Sequence, residues 1–158
     1  MNHEIKIRLA EERDAGALVR FNLAMAHETE ALELEQETLA AGVENLLKRK
    51  ELGFYLIAET SEAEEAVGSL MVTYEWSDWR NGLFWWIQSV YITPEFRRRG
   101  IYRRLYEFVK QLAEAETEVR GFRLYVEKEN RVAQQTYEQL GMSETHYLMF
   151  EELARTKI

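Results

Sequence analysis

Residues 83–93, LFWWIQSVYIT, are apolar or aromatic at eight of eleven positions, with only Gln88, Ser89 and Thr93 polar. Strict in-and-out alternation is missing, so the run fits an internal strand covered on both faces rather than one with a wet side. Its ends are marked. Asn81-Gly82, immediately before it, is the pair favoured in tight hairpin turns, where the backbone takes positive φ. Pro94, the chain's single proline, closes the other end because it lacks the N–H that a ladder needs. AVGSLMVTYEW at 66–76 is then the antiparallel partner across the turn. A chain containing such a strand has to build a sheet around it and cover both sides.

The remaining periodicities supply the cover. Ile5, Ile7 and Leu9 alternate as in a strand, whereas Leu18, Phe21 and Met25 within 11–27 recur with a helical period. A second helix starts near Gln36, carries Leu39, Val43, Leu46 and Leu47 on one stripe, and ends before Gly53. FYLIAE at 54–59 is strand-like. From Gly100 to about Glu116 the helical period returns through Ile101, Leu105, Phe108, Val109 and Leu112. FRLYVE at 122–127 predicts a strand, Asn130 to Leu140 a short helix closed by Gly141, and His146 to Phe150 a last strand. The order is β-α-α-β-β-β-α-β-α-β, an α/β chain. At 158 residues it suits one domain, 1–158, with no linker, repeat or low-complexity segment.

Composition excludes several function classes. No apolar run reaches the ~18 residues of a membrane span, and MNHEIKIRLAEERD lacks the apolar core of a secretory signal. The absence of cysteine removes disulfides, thiolate ligands and thiol nucleophiles, and a cytoplasmic location is expected. His3, His27 and His146 stand apart, without a metal-ligand spacing. The formal charge is −8, which disfavours a nucleic-acid partner that would need broad phosphate neutralisation.

Against that acidic background five arginines fall within PEFRRRGIYRRLYEF, residues 94–108. An internal strand there runs into a helix N-terminus, where unpaired N–H groups and the helix dipole favour an anion. Gly100 lets the backbone approach closely, and Arg97, Arg98 and Arg99 offer forked donors suited to phosphate oxygens. A diphosphate would satisfy this arrangement; so, for the arginines alone, would a solvated helix face. Neither GxxxxGK[ST] nor a GxGxxG after the first strand is present, which disfavours nucleotide hydrolases and dinucleotide oxidoreductases.

Arg97-Arg98-Arg99-Gly100-Ile101-Tyr102 resembles motif A, R/Q-x-x-G-x-G/A, of the GNAT superfamily of acyl-CoA-dependent N-acetyltransferases. Asn130, Ala133, Tyr137 and Gly141 resemble its motif B. With the element order, the resemblance spans essentially the whole chain. It implies a mixed, mostly antiparallel central sheet flanked by helices, and acetyl-CoA as cosubstrate. It also implies that Val90 and Ile92 offer backbone groups to the pantetheine arm, and that Arg97, Arg98, Arg99, Gly100, Ile101 and Tyr102 cradle the pyrophosphate. Asn130 would help fix the coenzyme, and Tyr137 would protonate the departing sulfur. Tyr102 departs from the pattern, and its ring must turn aside to leave the cradle open.

The resemblance implies transfer to a primary amine, of a small molecule in first place and of a peptide in second. It does not supply a base. Gln88 and Trp86 hold the strand positions where the family often has Glu or His. Glu28, Glu30, Glu75 and Asp78 are the acids that the first helix and the hairpin could bring near, and the sequence does not choose among them. Trp76, Trp79, Trp85 and Trp86 fill a core and a homodimer face on one reading, and line a pocket for a cationic amine on the other. The missing base leaves a second function open: a catalytically silent acyl-CoA-binding sensor or assembly module.

Overall fold

The computed structural model describes residues 3–155. The chain divides into two compact units, one ending at Tyr125 and one beginning at Val126. The first contains β1 (Ile5–Leu9), α1 (Ala15–Glu30), α2 (Gln36–Lys48), β2 (Gly53–Thr60), β3 (Ala66–Ser77), β4 (Gly82–Ile92), α3 (Ile101–Glu114) and β5 (Val119–Arg123). Short helical turns at Glu12–Asp14 and Pro94–Phe96 lead into α1 and out of β4.

The five strands lie in sequence order, antiparallel from β1 to β4, with β5 parallel to β4. The mixed, mostly antiparallel sheet that the resemblance implies is therefore present. Alternation sorts its side chains. Tyr55 and Ile57 join Leu18 and Val19 of α1 and Val43 and Leu46 of α2 in one buried cluster. Their neighbours Leu56 and Ala58, cross-paired with Leu9 and Ile7, point to the opposite face, where α3 runs along β1 to β4. That helix buries Ile101, Leu105, Val109 and Ala113, a stripe with a spacing of four.

Several expectations need correction. The first helix, expected within 11–27, starts at Ala15 after a separate helical turn and continues to Glu30. β4 is internal, but only one face is well covered: Trp85 and Ile87 are buried, whereas Phe84, Trp86 and Gln88 are half-exposed. Trp85 is buried, Trp86 is half-buried, and Trp76 and Trp79 are 54% and 86% exposed, so the four tryptophans divide between the core and the surface. The strand expected at 122–127 is β5, Val119–Arg123, displaced toward the N-terminus for a reason that lies in β4.

In the second unit α4 spans Arg131–Gln139. Asn130 caps it, its Oδ1 accepting from the Ala133 N–H at 3.2 Å, and Gly141 follows at φ 98°. The last strand expected at 146–150 does not form. Tyr147, Leu148, Met149 and Phe150 are exposed, and among the described residues no strand pairs with them. Alternating apolar residues provide a strand with a face; only a ladder partner makes it a strand.

Candidate active site

The site begins with a fault in β4. Gln88 pairs with Met71 and Tyr91 with Ser69, so Ser89 and Val90 together face the single residue Leu70. This is a β-bulge, and Ser89 sits in it at φ 51°. On the other edge β4 pairs with β5 only from Leu83 to Trp86. Beyond Trp86 the two strands part, which is why β5 ends at Arg123. Thr93 donates its N–H to Val67 on β3 at 2.8 Å, so strand alternation turns the main-chain groups of Ile92 and Val90 toward the side that β5 has left. The strand segment expected to present backbone groups is thus opened along one edge.

At its end β4 passes through Pro94–Phe96 and a turn into α3. Arg98 and Gly100 both take left-handed conformations, φ 62° and 74°, and Gly100 is the N-cap residue. The first helical bond of this cap runs from the Arg104 N–H to the Gly100 carbonyl at 3.1 Å, so earlier amides such as those of Ile101 and Arg103 precede any intrahelical acceptor. A Cβ placed on Gly100 would meet no atom of the described residues within 4 Å, so among them the space beside it is open. The Tyr102 ring stacks on Tyr106 one turn further along α3, centroids 6.4 Å apart, and so leans away from the turn. Arg99 lies over the Phe96 ring at 5.0 Å.

Arg97 behaves differently from its neighbours. Its N–H goes to the Pro94 carbonyl at 3.3 Å, its Nε donates to the Ile92 carbonyl at 2.8 Å, and its Nη2 donates to Glu28 Oε2 at 2.7 Å. Glu28 Oε1 also accepts from the Tyr91 hydroxyl at 3.0 Å. The Arg97 hydrogen bond first, helped by Tyr91, holds the Glu28 carboxyl below the usual carboxylate range. Burial chiefly, then the bond to Glu28, pushes the Tyr91 phenol up.

The sheet face on the α1 side carries a second polar group. Glu75 accepts from the Trp86 indole N–H at 2.6 Å and from Arg123 Nη1 at 3.1 and 3.0 Å. Arg123 lies over the Phe84 ring at 3.7 Å, and Tyr125 stands beside Trp86 with centroids 6.2 Å apart. Gln88 donates to the Thr73 hydroxyl at 2.6 Å. Because the bulge resets alternation, Gln88 and Tyr91 share this face although they are three apart. Of the four acids considered from sequence, Glu28 and Glu75 are each engaged by an arginine, and Asp78 accepts from the Trp79 N–H in its own turn at 2.8 Å. Glu30 is exposed at the end of α1.

In the second unit Asn130 spends its side-chain oxygen on the helix cap, leaving its amide NH2 outside that bond. Tyr137 lies on α4, and burial raises its phenol above the ordinary value, so it is fully protonated at neutral pH.

Comparison with known proteins decides the family. The model of the acetyltransferase (GNAT) family matches residues 19–142, from α1 through α4. The chain belongs to this family. A possible acetyltransferase from Clostridium difficile 630 is 43% identical, with a TM-score of 0.89 over 96% of this chain and 99% of that one. The aminoglycoside N-acetyltransferase AAC(6')-Iy in complex with CoA superposes at TM-score 0.78 with 17% identity, each chain covered to 97%. A predicted acetyltransferase with acetyl-CoA from Clostridium acetobutylicum gives 0.76 at 18% identity, covering 94% and 96%. These last two likenesses concern the fold alone. A search of curated proteins gives no match.

The sequence pointed to the turn and the strand edge and passed over three side chains that hold polar partners on the neighbouring sheet face: Tyr91, Thr73 and Arg123. Arg123 alone left a trace, as the one cation inside an otherwise apolar stretch, GFRLYV.

Proposed function

We propose that this chain transfers an acetyl group from acetyl-CoA to a primary amine of a small molecule. The observation that carries the reading is the opened edge of β4 running directly into the left-handed Gly100 and the start of α3. Bound acetyl-CoA would supply an activated thioester carbonyl. Val90 and Ile92 would hold the pantetheine arm through main-chain groups. The amides from Arg98 through Tyr102, with the Arg98 and Arg99 side chains and the open space at Gly100, would hold the pyrophosphate. Asn130 would contribute through its amide NH2. The family match across both compact units supports one catalytic domain, and a cytoplasmic location fits a chain without cysteine.

Tyr137 is assigned to the sulfur. A phenol with a raised pKa is a weaker acid than a thiol of pKa ~8.5, so its first contribution is a hydrogen bond to developing thiolate charge. Transfer of the phenol proton as the C–S bond breaks would leave a phenolate, and that phenolate takes up the proton the nitrogen sheds, so the amide and CoA thiol leave with Tyr137 neutral again. Glu28, with its lowered pKa, is a poor proton acceptor, so the amine reacts as the neutral species that its own ionisation provides. An amine acceptor is supported by the structure of AAC(6')-Iy with the bisubstrate analogue CoA-S-monomethyl-acetylneamine, a likeness of TM-score 0.75. Peptide amines are the second choice.

One observation favours the silent module instead: both carboxylates on the acceptor face are held by arginines. Calorimetry with CoA, followed by thiol-release assays with acetyl-CoA and a panel of primary amines, separates the two. The enzyme binds and turns over with at least one amine. Binding without turnover across the panel selects the module, and absence of binding removes both.

A further inference from the structure

Glu28 and Arg97 are 69 residues apart and meet at 2.7 Å. Their contact belongs to a closed ring of groups. Glu28, near the end of α1, accepts from Tyr91 on β4 and from Arg97 in the turn; Arg97 returns to β4 through the Ile92 carbonyl; its guanidinium carbon lies 5.4 Å from the Tyr91 ring centroid. Phe21 of α1 packs on that same ring, centroids 5.4 Å apart. Three pieces of chain that would border the thioester are joined at this point. The Arg97 and Glu28 side chains are 43% and 36% exposed, so the pair is reached by solvent and by ligand charge alike.

Arginine at the first position of the turn looks like a phosphate ligand, but its main-chain N–H, its Nε and its Nη2 are all committed within the protein. A carboxylate at salt-bridge distance also cancels most of its field at a nearby anion. Arg98 and Arg99 form no ion pair among the described residues, so the net positive charge of the turn comes from them. We infer that Glu28 is a positioning residue that withdraws Arg97 from phosphate binding and uses it to fix the end of β4 against α1.

This rests on the acyl-transfer reading above, and it makes a prediction of sign. If Arg97 is a strut, Arg97→Gln weakens CoA binding because it leaves the Glu28 carboxylate uncompensated beside a polyanion, and not because a ligand is lost. Removing that carboxylate as well repairs the defect. CoA dissociation constants are measured by calorimetry for wild type, Glu28→Gln, Arg97→Gln, the double variant and Arg99→Gln. Arg97→Gln is expected to bind roughly three- to tenfold more weakly, the double variant to return to near wild type, and Glu28→Gln to bind as well as wild type or better. Arg99→Gln, which removes a phosphate donor and leaves the Glu28–Arg97 pair intact, is expected to bind more weakly than wild type.

A double variant as weak as Arg97→Gln overturns the inference and returns Arg97 to the phosphates. Urea denaturation of the same variants without ligand gives an independent readout, because a strut produces non-additive midpoints and additive midpoints contradict it. A wild-type chain that fails to bind CoA removes the acyl-transfer reading, and the ligand-free cycle then decides on its own whether Glu28 holds Arg97.

Discussion

Gly100 combines two requirements that no other residue meets together. Its φ of 74° lies where an L side chain costs about 1–2 kcal/mol, and the volume a Cβ would take is the open space assigned to the anion. Among the described residues nothing would clash with an added methyl, so Gly100→Ala should fold with a stability loss on the order of 1 kcal/mol. Its effect on the coenzyme should be larger than that on the fold. Thermal unfolding and CoA calorimetry on the same sample read the two separately, and unchanged affinity would move the pyrophosphate elsewhere. Tyr137 gives the complementary case. Its phenol is raised by burial and keeps its proton, so Tyr137→Phe should lower kcat by about 10²- to 10⁴-fold, the usual range for a lost general acid, while CoA affinity stays within about twofold. A Phe variant with normal turnover would leave the sulfur to another donor.

At the scale of the element, the role proposed for β4 depends on its leaving the ladder halfway. Ser89 at φ 51° accounts for the departure, since the bulge it forms bends the strand and sharpens its twist. Glycine removes the steric penalty at that position, and a β-branched residue increases it. Ser89→Gly should therefore keep CoA binding and stability near wild type, and Ser89→Val should cost about 1–2 kcal/mol and bind CoA more weakly. Urea midpoints and CoA titrations check both, and a Ser89→Val variant indistinguishable from wild type would mean the opening does not need the bulge.

The same element shows what a sequence can reveal. Asn81-Gly82 and Pro94 marked both ends of β4 because turn chemistry is local. Arg97 to Tyr102 marked the helix start for the same reason. The bulge left no mark, since Gln88-Ser89-Val90 contains neither glycine nor proline, and the register on β3 alone creates it. The early end of β5 was hidden too, because it depends on where its neighbour departs. The arginine partners of Glu28 and Glu75 lie 69 and 48 residues away, a distance over which no local pattern operates.

For the compact unit as a whole, α1 is the member that has to stay in place, and it is tied at both ends. Its C-terminal end is held to β4 through Glu28. At its start Arg8 of β1 spans Asp14 and Glu59, with Nη1 and Nη2 at 2.8 and 2.9 Å from Asp14, and Nε and Nη2 at 3.0 Å from Glu59. The side chains are 15%, 8% and 5% exposed, so this network is largely out of water. Burial by itself would raise the Asp14 carboxyl, but the Arg8 bonds, the Glu11 N–H and the charges of Arg8 and Arg13 outweigh it and hold the group low. The Arg8 bonds lower Glu59 and keep Arg8 itself charged. A carboxylate whose folded pKa is depressed contributes stability above its unfolded value, about 4, and loses that contribution as pH falls through the folded value. Arg8→Met reverses the situation by leaving two nearly buried carboxylates face to face, with pKa values pushed up by burial and mutual repulsion. The variant should be about 3–5 kcal/mol less stable than wild type at pH 7. On acidification its carboxylates become neutral early and the penalty disappears, while wild type gives up its own advantage, so the gap should narrow from about pH 5 down to pH 3. Urea unfolding of both proteins across that range measures the gap directly. A difference that stays constant with pH would mean that Arg8 acts by packing its stem, and that α1 is seated by its apolar face alone.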